Sequence, residues 1–316
     1  MFRNDNTIRI DLHLPQSWNH CTTDELESIA AAIINEQQRV DKYHPFDWGR
    51  VKLNIVLAVN DITVRKSFSP DDEEWLVERP QDSEPWPIST GQLLSLTERL
   101  AWVDDEKANK IIFLFPYPTL DVRCKKEEGR RKSHQPSSII HLQGPPPLLD
   151  GYTWKEYRWL TDWMQEYIRC ANALAQSKME DVRSKTQAAL DNARNEFLAI
   201  LFRPKGDNDK IDAAIFTDFE PVKWQVILFW WSSLMLQLQR KFPKVFKQQP
   251  VGKGKRRPQQ QDTPWDFYNR VTATIQKYIG GLSSHDVDDQ PYGVTLQQLE
   301  MMADEAAEME KLKHKK

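Results

Sequence analysis

At 316 residues, with 40% hydrophobic and 28% charged side chains, the chain has a globular balance that excludes a disordered polymer. A formal charge of -3 and a pI near 6.2 exclude a global pull toward nucleic acid or an anionic membrane. The three scattered cysteines, Cys21, Cys124 and Cys170, encode no disulfide framework, which with the absence of an apolar signal core in MFRNDNTIRIDLHLP predicts a reducing, cytoplasmic setting.

Thr7 to Leu14 sets Ile8, Ile10, Leu12 and Leu14 against Arg9, Asp11 and His13, the pattern of a half-buried strand ended by Pro15. Thr22 and Glu25 then form a capping box with Cys21 and Leu26 at staple positions, and Leu26, Ile29, Ala30, Ile33 and Gln37 keep the helical period. Val51 to Ile62 reads both ways, because Val51, Leu53, Ile55, Leu57 and Val59 alternate as in a strand while the run also tolerates a helix. Residues 67–89, acidic and broken by Pro70, Pro80, Pro85 and Pro87, predict an irregular connection. A helix from about Thr90 to Asp105 turns Leu93, Leu96, Leu100 and Ala101 inward, and Ile111 to Phe115 predicts a short buried strand, a candidate partner for the N-terminal one.

Residues 116–151 carry Pro116, Pro118, a basic cluster from Arg123 to Lys132 and Pro145-Pro146-Pro147, and they read as a long loop or linker. A second capping box, Thr153 with Glu156, opens a helix striped by Tyr157, Leu160, Met164, Tyr167, Ala171 and Leu174. Met179, Val182, Thr186, Leu190, Ala193, Phe197 and Leu201 continue helically. Without Gly or Pro between Tyr152 and Phe202 one helix of about 75 Å is open, but a break near Ser177 buries more. Pro221 to Phe242, PVKWQVILFWWSSLMLQLQRKF, is apolar nearly all round from Val226 to Leu236. It is too short for the ~20 apolar residues of a membrane span, so it centres a core or meets a partner.

Residues 247–262 read as a Gln/Lys-rich linker. Thr263 and Pro264 open a helix with Tyr268, Val271, Ile275 and Ile279 inward, stopped by Gly280-Gly281. Thr295 and Gln298 open the last helix, whose narrow stripe of Leu296, Leu299, Ala303, Ala306, Met309 and Leu312 suits light docking or capture of a partner. The predicted fold is thus mainly α with a small β element near the N-terminus. It comprises an α+β region (1–115), the loop or linker (116–151), a Trp-rich helical core (152–246), the second linker (247–262) and a mobile helical C-terminal arm (263–316).

Neither HExxH, CxxC, GxSxG, a P-loop nor GxGxxG occurs, so the sequence points to no catalytic, cofactor-binding or metal-binding residue. The basic loops offer Arg130, Arg131, Arg256 and Arg257 as possible phosphate contacts, yet they lie beside prolines with no interleaved aromatic, which favours solvated linkers. The aromatic excess is more specific. Most of the 12 tryptophans suit core packing, but Trp159 lies off its helix stripe and Trp230 and Trp231 point ~100° apart. Those three, with Leu296, Leu299 and Met309, are the candidate partner-binding residues.

LPQSWNHCTTDELESIAAAI, YTWKEYRWLTDWMQEYI, ILFWW and PWDFYNRVTATIQKYIGGL are similar to tail-module proteins of Bacteroidetes-type phages and prophages. That resemblance implies a non-enzymatic tail-assembly-chaperone-like factor of the host cytoplasm that binds tape-measure or tube proteins. It carries packing signatures only, and no cofactor or membrane. The alternatives are a nucleic-acid-binding accessory protein acting through its basic loops, and an enzyme whose site converges from distant residues.

Overall fold

The computed structural model describes residues 12–41, 43–66, 74–105, 111–112, 114–123, 139–177, 179–204, 211–246, 264–280 and 282–313. Mainly helical with two small antiparallel sheets, the chain divides into two units. One comprises Met1–Pro116 with Glu220–Ser233, the other Tyr117–Phe219 with Leu234–Lys316.

In the first unit Thr22 and Glu25 form the expected capping box, the Glu25 carboxylate accepting the Thr22 N–H at 2.7 Å. Helix α1 (Thr23–Arg39) buries Leu26, Ile29, Ala30 and Ile33, while Gln37 keeps its amide in water in the last turn. Asp47 caps α2 (Trp48–Val59) through the Gly49 N–H at 2.8 Å. Residues 51–59 are therefore helical, and Val51, Ile55 and Val56 are buried at helical spacing.

Strands β1 (Thr63–Lys66), β2 (Glu74–Glu78) and β3 (Trp86–Ser89) form an antiparallel sheet in that order. Within the expected irregular connection over 67–89 this corrects the described part, 74–89; residues 67–73 lie outside the described residues. Val77, Trp86 and Ile88 alternate inward, and Pro87 sits outward on an edge strand, where its missing N–H costs no ladder bond. Helix α3 (Thr90–Glu98) is capped by Ser89 with Gln92 and stops before a 3-10 turn at Ala101–Val103, which leaves Ala101 exposed instead of inward. Ile62, Val77, Trp86, Ile88 and Leu93 make the core here, with Leu12, Leu53, Leu57 and Trp75 packed against it.

Neither expected N-terminal strand forms among the described residues; 7–11 lie outside them. At His13 the Asn60 side chain takes the place of a neighbouring strand: its Oδ1 accepts the His13 N–H at 2.8 Å and its Nδ2 donates to the His13 carbonyl at 2.9 Å. In the run 111–115, Ile111, Ile112 and Phe115 are buried but Leu114 is exposed, and the backbone of Ile112 is bonded to Ser233.

The second unit holds β4 (Thr119–Arg123), β5 (Ile139–Gln143) and, after the two following helices, β6 (Arg203–Pro204) in the order β4-β5-β6. Residues 116–151 are thus not a linker throughout, because Leu120 and Val122 pair with Leu142 and Ile140 across an antiparallel ladder. Thr153 and Glu156 cap α4 (Trp154–Gln176), and Ser177 ends it before α5 (Glu180–Leu201). The Glu156 carboxylate also meets Arg203 at 2.7 Å, and the Arg203 guanidinium lies 4.0 Å from the Tyr152 ring centroid. Among the described residues none from Ala171 to Asn192 is buried. The α4–α5 hairpin therefore runs on beyond its core, and Met179 and Val182, expected inward, are exposed.

Helix α6 (Pro221–Lys241) buries Val226, Ile227, Trp230, Leu234 and Leu238, and the Tyr157 hydroxyl donates to Met235 Sδ at 3.9 Å. Helix α7 (Pro264–Ile279) begins at its proline and ends at Gly280, which takes φ 71, where Ile279 turns out to solvent. Helices α8 (Ser284–Asp288) and α9 (Tyr292–Lys313) follow. Helix α9 begins before the expected Thr295, which is instead buried within it. Their junction is anchored: the Trp154 backbone N–H donates to the Gln290 carbonyl at 2.7 Å, the Tyr292 backbone N–H donates to the Tyr152 carbonyl at 3.0 Å, and the Tyr292 ring stacks on Tyr157 at 4.8 Å.

Candidate functional site

The second unit has an open cleft of about 720 Å³ between the turn before α4, the end of α6 and the start of α9. Its turn is built by the proline run that the sequence offers. Pro146 is extended, and Leu148 and Leu149 then adopt positive φ, 53 and 54, in a region that costs a non-glycine residue roughly 1–3 kcal/mol. Full burial of Leu149 and a hydrogen bond from the Tyr292 hydroxyl to the Leu148 carbonyl hold this conformation. Gly151, with φ 77, completes the turn. Burial, and after it the Asp150 carboxylate, push the Tyr292 phenol well above its usual range, so it stays a donor.

Leu148, Leu238, Phe242 and Tyr292 give the cleft an apolar floor, and Val294 and Met301 stand at its edge. Val294 and Met301 are 44% and 54% exposed, enough apolar surface to gain from being covered. Asp150, Glu300 and Asp304 make the rim acidic. Glu300 is fixed by the backbone N–H groups of Lys244 and Val245 at 3.0 and 3.1 Å, and Lys244 pairs with Asp304. Lys241 lines the same cleft, its ammonium 5.4 Å from the Phe242 ring centroid. The arrangement suits apolar side chains flanked by a basic group.

The sequence candidates fall elsewhere. Trp230 and Trp231 are core residues, 2% and 6% exposed, with Trp230 edge-on to Phe115 at 4.8 Å. Leu296 is buried as well, so these three offer no accessible anchor in the folded chain. Leu299 is half-buried. Trp159 and Met309 are on the surface, Trp159 with the Lys155 ammonium 4.8 Å from its ring. Arg130, Arg131, Arg256 and Arg257 lie outside the described residues. Sequence reasoning missed Leu148, Tyr292, Val294 and Met301. The available signal is Pro145-Pro146-Pro147 followed by Asp150-Gly151, a turn signature inside the segment that otherwise reads as a linker.

Among the described residues no group of three or more His, Cys, Asp or Glu side chains could hold a metal ion. Burial, with Glu25 nearby, pushes the Cys21 thiol up to about 12, which leaves it a poor nucleophile at neutral pH. No helix of the described residues is long and apolar enough to cross a membrane. Comparison with protein-family models, curated proteins and solved structures finds no match to this chain.

Proposed function

We propose that this chain acts by binding and not by catalysis, capturing a partner polypeptide in the second unit's cleft as a tail-assembly-chaperone-like factor of a phage or prophage. The observation that carries the binding half is the pair of exposed apolar side chains, Val294 and Met301, lining the cleft. The acidic rim selects the occupant: a segment with large apolar side chains and flanking lysine or arginine, whose charge complements Asp150 and Glu300. The tail half rests on the resemblance of the helix-start and Trp-Tyr segments, and it makes tape-measure or tube proteins in the host cytoplasm the candidate partners.

The experiment uses the purified full chain with purified phage tape-measure and tail-tube proteins in a direct binding assay. Val294→Glu and Met301→Glu, both at exposed positions, are expected to keep the parent chain's unfolding midpoint and to weaken capture at least about tenfold by placing a charge against an apolar contact. Capture that survives both substitutions removes the cleft from the account. No capture of any tail protein removes the tail assignment.

A further inference from the structure

A second concavity, about 470 Å³, lies in the first unit where α1 ends and α2 begins. Its walls carry Tyr43, Phe46 and Trp48, with the Phe46 and Trp48 rings edge to face at 5.0 Å. Tyr43 is 78% exposed and Trp48 37%, an unusual amount of aromatic surface to leave in water. Glu36 also lines the pouch, yet it is only 3% exposed. Its Oε1 accepts the Asp47 N–H at 3.2 Å, whereas its Oε2 is buried with no hydrogen-bond donor among the described residues.

Two guanidiniums converge on that Oε2, Arg39 at 3.6 Å and Arg50 at 3.7 Å, within ion-pair range but beyond a hydrogen bond. Both are nearly half exposed. One buried carboxylate thus holds two arginines from different helices at one mouth, with donors left over. Asp47, the other carboxylate here, is turned onto the Gly49 N–H.

We infer that this pouch binds a nucleotide unit. The base sits among Tyr43, Phe46 and Trp48 with an imino or amino N–H directed to Glu36 Oε2, and the phosphate meets Arg39 and Arg50. Each feature needs a different part of that ligand. A buried acceptor calls for a donor, and a neutral base edge supplies one without the repulsion that a cation would meet from two guanidiniums. Aromatic walls suit a planar ring. Arginine forks suit phosphate oxygens. A free mononucleotide and one residue of a single strand share this chemistry.

The test is fluorescence anisotropy of a labelled mixed-sequence single-stranded oligonucleotide on the full chain, with GMP, AMP and CMP as competitors. Binding is expected to fall roughly tenfold in Tyr43→Ala and in Arg50→Ala, as loss of one stacking platform or one phosphate contact requires. Replacing Arg130, Arg131, Arg256 and Arg257 with alanine should leave the pouch-dependent part in place. Displacement by a mononucleotide assigns a free nucleotide; binding of the strand without such displacement assigns a strand. Absence of binding by every probe, or binding that survives both Tyr43→Ala and Arg50→Ala, overturns the inference. Both side chains are exposed, so unchanged unfolding midpoints show that a loss is local; if one variant unfolds, the other decides.

Discussion

The Ser233 hydroxyl serves both backbone groups of Ile112: it accepts the Ile112 N–H at 2.7 Å and donates to the Ile112 carbonyl at 3.3 Å. Both residues are buried, and a side chain here does what a neighbouring strand would have done. Ser233→Ala withdraws a buried partner and is expected to destabilise the chain by about 1–3 kcal/mol in chemical denaturation. Ser232→Ala, next door but exposed, should stay within about 0.5 kcal/mol. Equal effects of the two would show that the Ile112 contact is immaterial.

The same device explains why the segments around His13 and Ile112 were misleading as sequence. Both are apolar and both need backbone partners, but the partners are the side chains of Asn60 and Ser233, 47 and 121 residues away. No local pattern reveals such a distant satisfier. Local chemistry was legible: the Thr22–Glu25 and Thr153–Glu156 boxes, the break at Ser177 and the start at Pro264 all depend on neighbours within one helical turn. The sheet of the first unit was hidden by Pro87 and by short, charged strands, and an edge position is what makes that proline tolerable. As for the cleft, its floor is assembled from Leu148, Leu238 and Tyr292, which sequence spacing alone could not bring together. Tryptophan count was a poor guide to the surface, since Trp18, Trp86, Trp154, Trp224, Trp230 and Trp231 are all buried.

Asp82 makes a pH-dependent clasp on the turn between β2 and β3. Hydrogen bonds from Arg79 and then Trp86 hold its carboxyl below the usual carboxylate range. A depressed folded-state pKa means the contribution is present above the unfolded value of about 3.9 and is lost as pH falls through the folded value. Asp82→Asn should therefore lower the unfolding midpoint at neutral pH, and the gap from the parent chain should close as pH drops below about 4. A gap that stays constant down to acid pH would rule the clasp out.

Glu156 ties α4 to β6, accepting the Thr153 N–H at 2.7 Å within its capping box and pairing with Arg203 of β6 at 2.7 Å. Thr153→Ala removes only the cap and is expected to cost about 1 kcal/mol. Glu156→Ala removes the cap's second half and the Arg203 pair together, so its cost should exceed that of Thr153→Ala. In a double-mutant cycle Glu156→Ala and Arg203→Ala should be non-additive, because one contact is counted in both. Additivity within about 0.3 kcal/mol would mean the pair contributes nothing.

The narrow stripe of the last helix suits light docking, and the burial pattern sets where a removable part can begin. Tyr292, Thr295 and Leu296 are buried, Tyr292 stacks on Tyr157, and its hydroxyl reaches Leu148. Glu300 then closes the turn after α6, and the Tyr278 hydroxyl donates to Glu305 at 2.6 Å. Beyond Glu305 every residue whose side chain is described is exposed, Met309 and Leu312 included. Removal of residues 306–316 should consequently leave cooperative unfolding and its midpoint nearly unchanged. Removal of residues 292–316 should abolish or broaden the second unit's transition, since it strips a stacked tyrosine and a buried leucine whose loss alone costs about 2–5 kcal/mol. Leu296→Ala isolates that part and should fall in the same range in chemical denaturation. A sharp, unshifted transition after the longer deletion would show that α9 is no part of this core.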